Sequence, residues 1–462
     1  VQASAASPGL LKQRVLIGFE PSLVGQFAPH EPTLLLESQD NLADTYEKYS
    51  LACFDIVKKL LNEKIQTQTL VQVIVAASEN AELARGLAGL FLSASHENPN
   101  FYGQLIFVGT DANADSKQIQ KISDENKHQP KDTVIRYKSG VRQVQTLIEF
   151  NDSKLSSNCV FREGGVYLLT GGLGGLGRLF IEEIVASTKS AVVYVVGRSA
   201  LDSQKQETLE MLQASHSHTL RYLSADISNA SDVGTLYAEI KSDGHTLNGI
   251  LHCAGVNLDN FIVNKDNQEF SAVTKPKVQG TYLLDEATKG ENLDFFALFS
   301  SGVSVLGNVG QADYAAANGF LDSFAQLRNS KNDRFGRCIA INWPYWQHGG
   351  MQLDADSQAV MAKFSGMTPL ETQAGFTAFY RAVSSLNSQV MVTQGSLVKM
   401  REVLYGLKNS DGEHIDELLE SSDASDTKVE QDIQQSSGPT STIGGQETVT
   451  IADLGKKTAQ FL

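Results

Sequence analysis

The chain has 462 residues, which at roughly 100–200 residues per domain allows two to four domains. Apolar residues make up 41% and charged residues 20%, an ordinary globular composition that excludes wholesale disorder, and the longest apolar runs fall far short of the ~18 residues a membrane helix needs, so no membrane span is expected. A net charge of −15 argues against a nucleic-acid binder, and the four widely spaced cysteines, Cys53, Cys159, Cys253 and Cys338, form no CxxC pair; they read as buried thiols in a reducing, cytoplasmic setting, with neither a disulfide frame nor a metal site.

The start, Val1-Gln-Ala-Ser-Ala-Ala-Ser-Pro-Gly, has no initiator Met and no signal-peptide charge pattern, and reads as a piece of a longer polypeptide. A first zone, residues 1–163, holds short apolar runs suited to buried parallel strands at Arg14–Phe19, Thr33–Leu36, Leu70–Ala76 and Gln104–Val108. Helical spacing lies between them at Tyr46–Leu61 and Asn80–Leu92. The alternation predicts a parallel sheet covered by helices, without a Gly-rich phosphate loop after any strand.

A second zone, 164–408, repeats the pattern with strands at Val166–Thr170, Ala191–Val196, Arg221–Ser224, Gly249–Cys253, Asp294–Ser300 and Cys338–Asn342. Helices fit near Leu176–Ser187, Asp232–Lys241, Gln268–Thr288 and Ala312–Arg328. The fold class is therefore α/β, as two doubly wound units joined by right-handed crossovers. The third zone, 409–462, carries eleven Asp/Glu against three Lys, a net of −8, and reads as an acidic flexible linker. Its last segment, Ile451–Leu462, has helical spacing, as the start of a further domain or as a disordered tail.

The strongest local signal is Thr170-Gly171-Gly172-Leu173-Gly174-Gly175-Leu176-Gly177, which follows an apolar strand and opens a helix. Gly172-x-Gly174-x-x-Gly177 has dinucleotide spacing: the glycines permit the tight turn and bring backbone N–H groups, at a helix N-terminus, against a pyrophosphate. About twenty residues on, an NAD enzyme would place a carboxylate for the ribose 2′-hydroxyl; here the next strand ends in Arg198-Ser199. A guanidinium can clamp a 2′-phosphate, which favours NADPH; a solvated strand-end cation is the competing reading. Asp226 ends the third strand and either faces the adenine or caps a turn.

The segment from Phe299 to Asn318 carries the chemistry. A strand delivers Ser300 and Ser301, and a helix then presents Tyr314 and Asn318 at i,i+4 on one face. Ketone reduction needs a proton for the developing alkoxide and a donor to hold the oxygen, roles that a phenol and a hydroxyl can fill. A nearby ammonium would lower the phenol pKa.

The glycine loop, His252-Cys253-Ala254-Gly255, and Ser301 with Tyr314 resemble the short-chain dehydrogenase/reductase superfamily. The plain superfamily has Lys four residues after the Tyr; Asn318 stands there. Polyketide synthase ketoreductase domains exchange the two places, and Lys277, in Thr274-Lys-Pro-Lys-Val-Gln-Gly280, matches their Lys. The resemblance covers about Leu11–Tyr405. It implies an N-terminal truncated, cofactor-free Rossmann-like structural subdomain and a C-terminal catalytic NADPH-binding one. It assigns Tyr314 as proton donor and Ser301 as oxyanion donor, with Ser300 as competitor. Lys277 would hold the ribose and lower the Tyr314 pKa, with Asn318 in the proton relay. Ala254 and Gly255 would border the cofactor. Asn342-Trp-Pro-Tyr-Trp346 with Gly349-Gly-Met351 resembles bacterial synthases of the trans-acyltransferase class.

Family members giving a D-alcohol carry Leu-Asp-Asp where this chain has Asn257-Leu258-Asp259. Members giving the L-alcohol carry Trp eight residues before the Tyr, where this chain has Leu306. Both features imply a D-alcohol. Residues 347–366, with Met351, Met361 and Phe364, read as a substrate lid or as core packing. His252 reads as packing, and Trp343 and Trp346 as aromatic core. The implied partners are an acyl carrier protein bearing a phosphopantetheine-tethered ketoacyl chain and the neighbouring synthase domains. The alternatives are a free-standing reductase of small ketones and a non-reducing scaffold domain.

Overall fold

The computed structural model describes residues 11–17, 33–36, 38–76, 78–109, 116–138, 140–150, 154–213, 218–351, 353–405, 449–453 and 460–461. A first sheet contains β1 (Leu11–Ile17), β2 (Thr33–Leu36), β3 (Thr69–Ala76), β4 (Phe101–Val108), β5 (Val134–Lys138) and β6 (Val141–Val144), in the order β2-β1-β3-β4-β5-β6. All neighbours are parallel except the β5–β6 hairpin. Helix α1 (Leu42–Asn62) and helix α2 (Ala88–Glu97) pack on it, with a 3₁₀ segment at Glu79–Leu87 where α-helical spacing was expected.

The second sheet is built from β7 (Leu147–Phe150), β8 (Gly165–Thr170), β9 (Ala191–Gly197), β10 (Thr219–Ser224), β11 (Gly249–His252), β12 (Phe295–Ser301), β13 (Arg337–Trp343), β14 (Gln389–Thr393), β15 (Val449–Asp453) and β16 (Gln460–Phe461). Its order is β10-β9-β8-β11-β12-β13-β14-β16-β15-β7. Of the stretch 451–462 read as having helical spacing, the described residues 451–453 and 460–461 are strand, in β15 and β16. The expected acidic linker at 409–448 lies outside the described residues. β7 joins this sheet by pairing with β15, although it precedes residue 163 in the chain.

Strand order reverses between β8 and β11, and ligands of such sheets bind outside the strands' carboxyl ends at that switch point. The carboxyl ends present Thr170, His252, Ser301 and Trp343. Helices α3 (Gly175–Ser187), α4 (Asn267–Ala287), α5 (Ala312–Ser330) and α6 (Ala355–Ser365) supply the remaining site segments.

The two units share a core. Tyr46, Phe54, Leu87, Leu90 and Phe91 of the first belong to one buried cluster with Phe270, Ala312, Ala316 and Phe320 of the second. Contact is close because both partners are glycine: a Cβ on Gly319 of α5 would lie 2.2 Å from the Gly86 carbonyl oxygen. The Tyr46 hydroxyl donates to the Ala316 carbonyl at 2.7 Å. On the sheet's other face Phe161, Phe180, Phe299, Trp343, Trp346 and Phe379 form an aromatic core, the reading expected for both tryptophans. All four cysteines are free; Cys159 is exposed, contrary to the buried reading. Among the described residues no helix is long and apolar enough to cross a membrane.

Candidate active site

The glycine loop folds as its composition requires. Gly171 has φ 68°, a conformation that disfavours a side chain. A Cβ on Gly175 would lie 2.1 Å from the Gly349 carbonyl oxygen, and one on Gly177 would lie 2.5 Å from that of Gly171. Helix α3 is preceded by Gly174 at its N-cap, with no side-chain cap, leaving its first N–H groups for a ligand. These features fit a pyrophosphate. Arg198 is exposed just after β9, its carbonyl accepting from the Ser224 hydroxyl at 3.1 Å. Lys205, which the sequence reading did not single out, donates to the Ser199 hydroxyl at 3.0 Å and is paired with Asp202 at 2.6 Å. The loop and Arg198 together fit NADPH.

The Thr170 and Asp226 side chains both make hydrogen bonds within the protein. The Thr170 hydroxyl is buried and engaged by the His252 Nδ1 at 2.7 Å. Its side chain ties β8 to β11, and its carbonyl accepts from the Cys253 amide at 3.2 Å. Burial lowers the His252 pKa to about 3, with the Lys277 charge adding to the fall, so the imidazole is neutral packing. The Asp226 carboxylate accepts from the Ser228 amide at 2.9 Å and hydroxyl at 2.6 Å, the turn-capping alternative. Burial would raise its pKa, but the Ser228 bonds and the Arg198 and Lys275 charges hold it below the usual range.

Helix α4 brings Lys277 inward. Its start is fixed by a capping box between Asp266 and Glu269, and it carries Pro276 one residue before the lysine. Lys277 is 3% exposed; its Nζ donates to the Phe299 carbonyl at 2.8 Å and lies 5.8 Å from the Tyr314 ring centroid. Gly255, beside Ala254 after β11, makes room for it: a Cβ there would lie 2.9 Å from Lys277 Cε.

Burial acts to raise the Tyr314 phenol pKa, and the nearby Asn318 and Ser301 side chains act to lower it. Burial prevails, and the nearby Asp259 charge adds to it, so the phenol lies above its ordinary value. The expected lowering by Lys277 is therefore not met; the ammonium faces the ring and bonds a carbonyl. Burial also lowers Lys277 itself to about 8, opposed by the charge of Asp322. At neutral pH the arrangement offers a protonated phenol next to a largely charged ammonium, which is a competent proton donor with a counter-charge for the phenolate. Asn318 Nδ2 donates to the Tyr314 carbonyl at 2.7 Å, while its buried Oδ1 has no partner.

Ser300 and Ser301 separate by environment. Ser300 is 4% exposed, and its hydroxyl accepts from Asn342 Nδ2 at 3.0 Å and donates to the Asn318 carbonyl at 3.2 Å. Asn342 belongs to a buried network in which Ser304 donates to Asp322 at 2.5 Å. Ser301 is half-buried, and its hydroxyl accepts from the Val303 amide at 3.3 Å.

Asp259 is exposed, and both its carboxylate oxygens accept from Gln311 Nε2, at 2.9 and 3.1 Å. Leu306 is half-buried in the small cluster around Met391. Met351 is half exposed, its carbonyl accepting from the Tyr345 hydroxyl at 3.0 Å. Helix α6 buries none of its residues and Phe364 is 66% exposed, so core packing does not explain that segment. Sequence reading missed Gln311, Asp313, Asp322 and Asn342. The signal available was position: the first two lie within three residues of Tyr314, and Asp322 lies four after Asn318 on an alanine-rich helix.

The family profile described as "KR domain" matches residues 165–348. The chain is 38% identical over 384 residues to "Polyketide synthase PksL" and 37% over 399 residues to "Polyketide synthase PksN", both of Bacillus subtilis (strain 168). These matches cover 82% and 84% of this chain but only 8% and 7% of those proteins, so the chain spans under a tenth of their length. Among solved structures, a ketoreductase domain from the bacillaene assembly line is 35% identical with TM-score 0.79, covering 87% of this chain and 97% of that one. An N-terminal ketoreductase from the macrolactin assembly line is 25% identical with TM-score 0.66, covering 87% and 91%. Carrying the glycine loop, the inward lysine and the serine–tyrosine pair across nearly the whole of a solved relative, the chain belongs to the ketoreductase domains of modular polyketide synthases, NADPH-dependent oxidoreductases of two Rossmann-like subdomains.

Proposed function

We propose that this domain, with residues 1–163 as structural and 164–408 as catalytic part, reduces a ketoacyl thioester presented on an acyl carrier protein to the D-hydroxyacyl thioester, within a larger synthase whose neighbouring domains supply the chain. The observation that carries the reading is the convergence of Lys277, Ser301 and Asn318 on the Tyr314 ring beside Gly255. Bound NADPH supplies the hydride. The Gly171–Gly177 backbone and the α3 N-terminus hold its pyrophosphate, Arg198 takes the 2′-phosphate, and Lys277 faces the ribose side of the groove. Ser301 donates to the ketone oxygen, and Tyr314 gives that oxygen its proton as the charge develops. Lys277 stabilises the resulting phenolate, and Asn318 supports the relay that returns a proton to it.

The D-configuration rests on Asp259 and on Leu306 in place of a Trp. Asp259 is held by Gln311, three residues before Tyr314, which sets one wall of the ketone site. Residues 347–366 close over the opposite side as a lid. The test is reduction of carrier-bound ketoacyl thioesters with NADPH, followed by chiral chromatography of the product. Mainly D-product is expected. Mainly L-product overturns the stereochemical reading, and no NADPH oxidation across a panel of chain lengths favours the scaffold alternative.

A further inference from the structure

The cofactor-free half touches the wall of the ketone site mainly through α2, with Lys58 of α1 also donating to the Lys265 carbonyl at 2.6 Å. Glu97 ends α2, and its two carboxylate oxygens bridge two segments of the catalytic half. Oε2 accepts from the Ile262 amide at 2.9 Å and Oε1 from the Gly310 amide at 3.1 Å. The first segment carries Asp259; the second carries Leu306 and runs into Gln311 and Tyr314. The segments also meet directly, with the Asn260 amide donating to the Gly310 carbonyl at 2.9 Å.

Further contacts from α2 fall on the same stretch. His96 Nε2 donates to the Leu306 carbonyl at 2.9 Å, and the Asn308 amide donates to the Ser93 hydroxyl at 3.1 Å. Behind them lies a buried ion pair: Lys265 Nζ and the Asp313 carboxylate are 2.7 Å apart, 0% and 1% exposed. Lys265 also donates to the Leu258 carbonyl, and Asp313 accepts from the Tyr314 amide at 2.8 Å. The Asp259 segment is thus fixed to the tyrosine helix from inside by Lys265–Asp313 and from the other half by Glu97.

We infer that Glu97 is a specificity-positioning residue: by bridging the Ile262 and Gly310 amides it sets the separation of the Asp259 wall from Tyr314, and so which face of the ketone meets the cofactor. The inference rests on the reading of this site as a stereoselective ketoreductase. Its chemistry is specific to a carboxylate. Both partners are N–H donors, so Glu97 must accept twice; a Gln of the same shape turns one arm into a donor facing a donor.

The experiment measures the product isomer ratio, NADPH-dependent kcat and KM, and the melting temperature for wild type, Glu97→Gln and Glu97→Asp. Glu97→Asp keeps the charge on a shorter arm and serves if the Gln variant fails to fold. Glu82→Gln is the control: Glu82 is another carboxylate of the same half, bonded to Arg136 at 2.6 Å. The minor isomer should rise roughly tenfold in the Glu97 variants, equivalent to ~1.4 kcal/mol of lost discrimination, with kcat less affected, while Glu82→Gln keeps the wild-type ratio. An unchanged ratio in a folded Glu97 variant, or equal erosion in Glu82→Gln, overturns the inference. Because the change in ratio is read whichever isomer dominates, a wild type that makes the L-product would refute the D-alcohol assignment and leave this test intact.

Discussion

Lys277 meets two opposed demands, since the site needs its charge and the fold would do better without it. Its pKa falls to about 8 through burial, below the 10.5 of the exposed side chain. Below pH 8 the native state therefore holds a charge it disfavours, at a cost on the order of 3 kcal/mol. Between about pH 8 and 10.5 the unfolded chain binds more protons than the folded one, so stability rises with pH across that window. Lys277→Met should abolish reduction, raise the melting temperature at pH 7, and remove this slope. Melting curves from pH 7 to 10, with NADPH oxidation assays, check it; a Met variant that melts lower at pH 7 contradicts the assignment. In the wild type, activity should decline above about pH 8 as the ammonium loses its proton.

At the scale of elements, β12, α5 and β13 are joined behind the site by one buried polar cluster. Asn342 Nδ2 lies within 3.1 Å of the Ser301 carbonyl and 2.9 Å of both Asp322 oxygens, and Gln389 Nε2 donates to its Oδ1 at 3.1 Å, which fixes the amide's orientation. The cluster holds Ser301 and the Asn318 turn in register. Burial raises the Asp322 pKa to about 6, against bonds from Ser300, Ser304 and Asn342. A raised carboxyl favours folding below its unfolded value and loses that contribution as pH climbs through the folded value. Relative to Asp322→Asn, the wild type should lose roughly 3 kcal/mol between about pH 4 and 6. Denaturant titrations across that range measure it, and parallel curves for the two proteins would refute it.

The elements differ in how readable they were. The β8–glycine loop–α3 unit was legible because an apolar strand, a fixed glycine spacing and a helical pattern coincide. β5 and β6 were not, because strands such as Val134-Ile-Arg-Tyr-Lys138 and Val141-Arg-Gln-Val144 are half-buried at a sheet edge and lack an apolar run. β14 was missed as a five-residue strand bounded by polar residues. The Lys277–Tyr314 pairing is separated by 37 positions, and only the resemblance connected them in advance. The Ser300/Ser301 choice needed the network: both are strand-end serines, and burial among Asn342 and Asp322 partners distinguishes them.

On the scale of the whole molecule, the first half contributes no glycine phosphate loop among its described strands yet shares its core with the second. Gly86 against Gly319 and Tyr46 on Ala316 press it onto the tyrosine helix, while Glu97 reaches past that helix to the Asp259 wall. No local pattern marks Glu97; its partners lie 165 and 213 residues along the chain. The central claim remains the phenol at position 314. Single-turnover NADPH oxidation by wild type and Tyr314→Phe on a carrier-bound ketoacyl thioester, with NADPH affinity measured by fluorescence, tests it most directly. Unchanged NADPH affinity and a rate reduced by about 10²–10⁴-fold are expected; a Phe variant that turns over within a few-fold of wild type would rule out Tyr314 as the proton donor.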